Sequence, residues 1–411
     1  MKVLASIDIG SETIKMVVAE VLGDEFNCLC ALEEESRGVA NGLIMEPDET
    51  VYAIKKLLKR VEDNLGFKVT KAIVNIPEEE ATFKIGNSSV KIDSEDKEIL
   101  ASDMVHALQA SVKGNIDSHF DLVTVIPIMF KVDDTKTRFP KGMRGDSLSV
   151  KSVVVSAPKK DIYLVAKIME KCGLEVIDIM VNSIGNYYAH KNESTDLATG
   201  ALINCGSDKI EVSTFNKGII TNNMVILTGG RQIDKDIANV YKISVTDAEY
   251  LKKNLALAHP KHAVSSETES VVNRDGEKIT INQSDITEVV AGRLQQMLNM
   301  AKNEINYLTK KEISFIIITG GLSELKDFSL LVESVFGNIA RMGKIKIVGA
   351  RNNAFAPAVG MIKYFDFKLK LRDQEFSILS GDDEEVLTQG LVKKNTGDSI
   401  MSKVFGIFFD N

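Results

Sequence analysis

The sequence predicts an α/β protein of two similar halves facing a cleft, with one small subdomain inserted in the first half. Three observations carry this reading. VLASIDIGSETIKMVVAE and GALINCGSDKIEVSTFNKG both place a buried strand, a short polar turn holding Gly and Ser, and a second alternating strand in the same order. Helical periodicity and a further apolar strand follow the first of these meanders, the arrangement that a mixed sheet with a crossover helix requires. Between the two copies, residues 85–157 break the rhythm.

Size and composition agree. The 411 residues call for two to three domains, and the 44% hydrophobic content supplies a core. Fifty basic against 58 acidic side chains leave a net charge of −8, which excludes a generally basic nucleic-acid surface. Four cysteines, Cys28, Cys30, Cys172 and Cys205, form no CxxC and have no histidine at ligand spacing, so they read as buried small residues of a reducing compartment. Asp8 interrupts the N-terminus before a signal-length apolar run can form, and nowhere do 18 apolar residues run together, so a cytosolic chain that spans no membrane is expected. The five histidines take part in no Ser-His-Asp or Cys-His arrangement.

Along the chain, strands are expected at residues 3–9, 14–21, 27–34 and 71–76, with a helix over 49–65 stopped by Gly66. The inserted part predicts a helix near 94–110 and short strands around 122–132 and 149–156. The second cycle reads as helix 161–172, strand 175–180, helix 181–191 and the repeated meander over 200–220. Helices near 232–241, 246–257 and 284–308 follow, then strand 314–318, a Thr-Gly-Gly turn, helix 324–336, strand 344–348 and helix 354–364. The expected divisions are 1–84 and 159–199 for the first half, 85–158 for the insertion, 200–365 for the second half, 366–397 for a linker and 398–411 for a terminal anchor.

The turns are where chemistry is expected. A triphosphate needs donors aimed at its oxygens and a carboxylate for the accompanying magnesium. In Asp8-Ile9-Gly10-Ser11-Glu12-Thr13-Ile14-Lys15 the carboxylate ends a buried strand, Gly10 permits close backbone approach, and Ser11 adds a hydroxyl and an N–H. The plain alternative is an ordinary hairpin with a Gly-Ser bend. Gly320-Gly321 follows an apolar strand and precedes a helix whose N-terminus would face the same point. Gly229-Gly230 precede another helix, and Glu249 with Lys252 places polar groups at i and i+3 in the next, a spacing that also describes a solvated surface pair.

The order of Asp8-Ile9-Gly10-Ser11, the Gly206 hairpin, Gly229-Gly230, Glu249 with Lys252, and Thr319-Gly320-Gly321 resembles the actin, Hsp70 and sugar-kinase superfamily. Within it, Val125-Ile126-Pro127 through Val132-Asp133 and Pro140 to Leu148 is similar to the insertion of the FtsA family, bacterial actin-like cell-division proteins, at a place where actin and Hsp70 have none. The resemblance implies an actin-like ATPase fold of the ribonuclease H-like class: two duplicated halves around a nucleotide cleft, an FtsA-type subdomain and a C-terminal amphipathic helix. It implies ATP and Mg2+ as cofactors.

By the same resemblance, Asp8, Gly10, Ser11, Glu12 and Lys15 fall on the first phosphate turn, with Asp8 toward the metal. Asn204, Gly206, Ser207, Asp208 and Lys209 fall on the second, Gly230, Glu249 and Lys252 flank the adenosine, and Gly320, Gly321, Leu322 and Ser323 form the adenine turn. The second loop departs from the family, which has Asp, Gly and a Gly-Thr-Thr-Asp run where this chain has Asn204-Cys205-Gly206-Ser207-Asp208-Lys209-Ile210-Glu211. Asn204 brings no negative charge, Lys209 brings a cation, and Asp208 is the partial replacement. ATP binding with slow or absent hydrolysis is expected, and loss of nucleotide binding is the competing reading.

Two further elements complete the expectation. Ile400, Met401, Val404, Phe405, Ile407 and Phe408 share one arc of a terminal helix opposite Ser399, Ser402 and Lys403, a geometry for the membrane interface, with docking on the body as its alternative. The resemblance makes the helix 284–308, within a subdomain of about 231–310, the receiver of the C-terminal peptide of the tubulin-like FtsZ. Arg293 then holds a carboxylate with Gln296 one turn on, while a solvated surface Arg is the alternative. Self-assembly into filaments, later division proteins as partners, and a place on the inner face of the cell membrane at the division site are further implications. A pilus-assembly scaffold and an Hsp70-like or sugar-kinase-like enzyme are the alternatives.

Overall fold

The computed structural model describes residues 2–379. The first half opens with β1 (Val3–Ile9), β2 (Thr13–Leu22) and β3 (Glu25–Glu35), followed by the short hairpin β4 (Val39–Ala40) and β5 (Leu43–Ile44). Next come α1 (Pro47–Leu65) and β6 (Lys71–Asn75). The inserted sheet is made by β7 (Thr82–Lys91), α2 (Ala101–Val112), β8 (Phe120–Val132), β9 (Thr135–Thr137) and β10 (Ser147–Pro158). The chain then returns through α3 (Lys159–Lys171), β11 (Glu175–Met180), α4 (Asn182–His190) and the short α5 (Glu193–Leu197).

The second half starts with β12 (Thr199–Cys205), β13 (Ile210–Asn216) and β14 (Ile219–Ile226), then α6 (Gly230–Tyr241) and α7 (Val245–Asn254). It continues through the hairpin β15 (Thr268–Val272) and β16 (Lys278–Asn282), α8 (Gln283–Leu308), β17 (Phe315–Thr319), α9 (Phe328–Phe336), β18 (Ala340–Met342) and α10 (Ala356–Arg372).

The repeat is a repeat of topology. The first sheet runs β3-β2-β1-β6-β11 and the second β14-β13-β12-β17-β18, each an antiparallel meander joined to two parallel strands. The two bends at the strand ends match as well: Gly10 N–H donates to Thr13 O at 3.2 Å and Gly206 N–H to Lys209 O at 3.0 Å. β1 is buried along its whole length, as the continuous apolar pattern requires for a central strand. The insertion is a separate sheet, β7-β10-β8-β9, closed by α2 over its own small core of Ile92, Met104, Phe130 and Leu148.

The halves meet along α4 and α10. Gly185 and Gly360 face each other there, and a Cβ at 360 would overlap the Gly185 carbonyl. Aromatic rings extend the contact: Tyr187 stacks on Phe215 at 4.1 Å, and Tyr188 meets Tyr364 edge-on at 4.7 Å. The Tyr364 hydroxyl reaches Thr124 Oγ1 at 2.9 Å, tying α10 to the insertion as well.

Several expected boundaries move, each for a local reason. The insertion's strands are long rather than short, and α2 starts at Ala101, where the Asp103 carboxylate accepts the Leu100 N–H at 2.8 Å. Helix α9 starts at Phe328, because Asp327 takes a left-handed φ of 65°. Residues 344–348 alternate between exposed Lys344, Lys346 and Val348 and buried Ile345 and Ile347, yet they pair with no strand; the ladder goes to β18, which ends two residues before Lys344.

Helix α10 is the largest change. It runs to Arg372, past the expected linker start at 366, and packs in the core of the first half although 200–365 was assigned to the second. Ser6 Oγ donates to Ala358 O at 2.8 Å, Lys2 pairs with Asp366 at 2.7 Å, and Ile378 N–H donates to Val3 O at 2.9 Å. Residues 366–379 therefore belong to the folded body. The amphipathic segment over 400–408 lies outside the described residues.

The α4–α10 crossing makes a stability prediction. Gly360→Ala should cost about 3 kcal/mol or prevent folding, because the overlap is with backbone and cannot relax by a rotamer change. Gly292→Ala, at an open position inside α8, should add about 0.5–1 kcal/mol. Urea unfolding of the full chain tests both; a Gly360→Ala protein as stable as its parent would mean that the crossing tolerates a side chain.

Candidate functional site

A cleft of about 620 Å³ lies between the halves. Its walls are the two matching bends, the start of α6, the end of α7 and the turn after β17. The candidates Asp8, Gly10, Ser11, Glu12 and Lys15 line it, as do Asn204, Gly206, Ser207, Asp208 and Lys209, and Gly230, Lys252, Gly320, Gly321 and Leu322. Two candidates do not. Glu249 turns outward to Lys253, 2.6 Å away, and Ser323 is buried with its hydroxyl donating to Gly320 O at 2.7 Å.

Register explains why the bends face the cleft. Asp8 and Lys15 sit opposite each other at the open end of β1 and β2, and Asn204 and Glu211 hold the same places on β12 and β13. The second bend is welded to α6, with Gly230 N–H donating to Gly206 O at 3.0 Å and Arg231 N–H to Ser207 O at 2.8 Å. The third wall depends on Gly320, whose φ of 95° and approach to the Asn204 side chain and the Cys205 backbone leave no room for a Cβ. After it the chain makes one 3-10 turn, Gly321–Glu324, so the expected helix N-terminus does not stand at this point; α9 begins seven residues beyond Gly321.

The charges are arranged as cross-cleft pairs. Lys209 Nζ lies 2.7 Å from Glu79 Oε1 and 2.8 Å from Glu211 Oε1, joining the second bend to the loop after β6. Lys253 pairs with Glu12 at 2.7 Å, Asp208 accepts the Asn41 N–H at 2.9 Å, and Arg231 binds both Asp208 at 3.0 Å and the Ser11 carbonyl at 3.2 Å. Lys252, expected to act with Glu249, instead turns inward to Asp234 at 2.6 Å and the Gly230 carbonyl at 3.1 Å. The sequence reading missed Glu79, Arg231 and Lys253. Arg231 follows the Gly229-Gly230 pair directly, and Lys253 lies at i+4 from Glu249, so those two were within reach of spacing; Glu79 was not.

Burial sets the protonation. Asp8 is raised to about 6, first by loss of solvent, with Lys15 opposing and Glu211 adding to the shift. Glu78 is pushed well above the ordinary carboxylate range by burial and then by Glu211. Burial alone would lower Lys209, but Glu211, Glu79 and Glu78 outweigh it and hold its ammonium charged. Burial raises Glu12 too, and the hydrogen bond and charge of Lys253 overcome it and leave the carboxyl below its usual value.

A magnesium ion held through Asp8 needs further oxygen donors at the bends. Asn204 donates its amide to Glu211 Oε2 at 2.8 Å, Glu211 and Glu79 are held by Lys209, and Asp208 is held by Arg231. No group of three His, Cys, Asp or Glu side chains among the described residues could hold a metal ion. The donor set does not fit a divalent cation bound to protein carboxylates.

Asp8 gives a pH prediction. Between its ordinary 3.8 and about 6 the folded chain keeps a proton that the unfolded chain has released, so stability from this group falls as pH rises through that window. Buried His190, lowered to about 4, titrates in the same window with the opposite sign. The difference between Asp8→Asn and the parent isolates Asp8. The variant should be more stable by about 2–3 kcal/mol at pH 7.5, falling to about half of that at pH 5, in urea titrations at both pH values. A difference that does not change with pH would mean that Asp8 is not buried as a charge.

Comparison with known proteins supplies the family. A model described as "Cell division protein FtsA" matches residues 201–360, and one described as "SHS2 domain inserted in FTSA" matches residues 81–156, the segment that forms the separate sheet. The cell division protein FtsA of Bacillus subtilis is 27% identical over 87% of this chain and 82% of its own length. Among solved structures, a PilM–PilN type IV pilus biogenesis complex matches with TM-score 0.57 at 15% identity, over 87% of this chain and 97% of that one. MreB5 of Spiroplasma citri, solved bound to ADP, matches with TM-score 0.56 at 11% identity, over 90% and 98%. These structures share the fold, while the inserted sheet and the sequence matches decide among its families: the chain is an actin-like protein that belongs to the FtsA family of cell-division proteins.

Proposed function

We propose that this protein binds ATP in the cleft, assembles into filaments, and tethers FtsZ filaments to the inner face of the cytoplasmic membrane at the division site. The observation that carries the nucleotide reading is the pair of matched Gly-Ser bends, Gly10-Ser11 and Gly206-Ser207, opening on one cleft with Gly320, Gly321 and Leu322 on its third wall. Backbone N–H groups and hydroxyls at two such bends are suited to phosphates, and the third wall offers backbone and an apolar side chain to a flat base. Hydrolysis is slow or absent in this reading, because no unpaired carboxylate stands at the second bend to position water. An Hsp70-like or sugar-kinase-like catalyst would need that carboxylate, and a pilus scaffold keeps only the likeness of fold.

The FtsZ peptide is placed on the face between α6 and α8. A shallow depression there is lined by Asp236, Asn239, Val240, Val289, Arg293 and Gln296. Arg293 is already engaged, with Nε 2.5 Å and Nη2 3.1 Å from the two Asp236 oxygens and Nη1 donating to Gln296 Oε1. A peptide carboxylate must therefore displace Asp236. Asp236→Ala should tighten binding of an FtsZ C-terminal peptide several-fold, and Arg293→Ala should weaken it about tenfold or more, as loss of a charge-assisted hydrogen bond predicts. Fluorescence anisotropy with a labelled peptide reads both; equal affinity in all three proteins would move the peptide elsewhere.

Membrane attachment is assigned to Ile400, Met401, Val404, Phe405, Ile407 and Phe408. No helix among the described residues is long and apolar enough to cross a membrane. A single short amphipathic segment binds weakly, and linkage of many in a filament makes the attachment firm. Liposome co-sedimentation of the full chain and of a version ending at Gly397, with and without ATP and FtsZ, tests the tether. Pelleting that needs the last 14 residues, is strengthened by ATP and carries FtsZ down is expected. Equal pelleting of the shortened chain would overturn the anchor, and failure to carry FtsZ would point to another partner.

A further inference from the structure

The charged groups at the second bend do more than fail to hold a metal. Asn204 removes one carboxylate, and the neighbouring residues supply a permanent cation. Lys209 lines the cleft with its ammonium held between Glu79 of the first half and Glu211 of the second. Its side chain is about 14% exposed, and Glu211 is 1% exposed. An ammonium so enclosed cannot leave without stranding the buried Glu211 carboxylate and the partly buried Glu79, so it is a fixed part of the site. Gly42 packs against it from the first half, where a Cβ would collide with both Lys209 Nζ and Glu79 Oε1. The cation is thus gripped from both sides of the cleft, at the level of the bends where phosphate oxygens would lie.

Apart from Glu33, the remaining lining acids all have a partner. Asp208 is bound by Arg231, Glu12 by Lys253, and Glu324 accepts the Asn353 N–H at 3.0 Å. Asp8 accepts a hydrogen bond from Asn75 Nδ2 at 2.8 Å and faces Lys15 across the β1–β2 register. Lys15 and Lys209 line the cleft beside the two bends, where the charge of a triphosphate would lie.

We infer that Lys209, clamped by Glu79 and Glu211, takes the place of a divalent cation at the phosphate end of the cleft, so that this chain binds ATP without magnesium. The inference rests on the nucleotide reading above and deepens it. Because Lys209 also bridges the halves, bound phosphate would share a cation that already holds the cleft closed, and nucleotide would tighten an existing closure rather than create one.

Isothermal titration of the full chain with ATP, in excess magnesium and in EDTA, tests this directly. The expected result is the same affinity within about twofold in the two buffers. Lys209→Met should then lose at least tenfold in EDTA and recover most of that in magnesium, while Lys209→Arg should stay independent of the metal. Lys209→Met with Glu211→Gln covers the case in which the single variant fails to fold, and should show the same need for magnesium. Binding by the parent that falls tenfold or more in EDTA overturns the role of Lys209 while leaving the nucleotide site intact. Absence of ATP binding in both buffers overturns the nucleotide reading, and this inference with it.

Discussion

The contact between α4 and α10 is the constraint on which the rest depends. Two helices can approach this closely only where both lack a side chain, and Gly185 and Gly360 supply that at one point. The crossing sets the angle between the halves because α4 follows the last strand of one sheet and α10 follows the second. Helix α10 then continues along the first half as far as Arg372, with Lys368 paired to Asp178 and Asp366 to Lys2. The second half is therefore carried on a helix rooted in the first. Moving that crossing would move every residue of the cleft wall at once.

On such a hinge, cross-cleft ion pairs decide how far the halves open. Lys209–Glu79 and Lys253–Glu12 both join one half to the other, and Arg231 reaches the Ser11 carbonyl. They are not equivalent. Lys253 and Glu12 are 51% and 39% exposed, so water and salt screen their attraction, whereas Lys209 and Glu79 are 14% and 18% exposed and keep more of it. The outer pair can exchange partners at little cost, and the inner one resists. A ligand entering the cleft meets a rim that yields and a floor that is fixed.

Much of this was legible in the sequence, for reasons that can be named. The central strands β1, β12 and β17 are mainly apolar runs with Asp8, Asn204 and Thr319 at or next to their last residue, and period and polarity alone mark such runs. The two bends were visible because Gly and Ser recur at one spacing, Asp8 to Lys15 and Asn204 to Glu211. What failed was decided by distant contacts. Residues 344–348 alternate like a strand because Ile345 and Ile347 are buried, but alternation reports burial and not pairing. The charged stretch after Asp366 looked like linker, yet Asp366 and Lys368 are buried through partners at Lys2 and Asp178, more than 180 residues away in the chain. Glu79 was invisible for the same reason: nothing near it in sequence marks it as the acceptor of Lys209.

Those failures also bear on how the second bend is read. Position by position, Asn204 is a loss and Lys209 an intrusion. Placed in the fold, they form one change, since Asn204 donates to the same Glu211 that holds Lys209. A buried carboxylate at 204 would stand opposite Glu211 across the β12–β13 register, and two such charges repel unless a cation lies between them. With a neutral amide at 204, one ammonium suffices for Glu211 and Glu79 together. The groups at the second bend are thus electrostatically consistent with one another: the neutral amide at 204 adds no charge, and the one ammonium of Lys209 serves both Glu211 and Glu79.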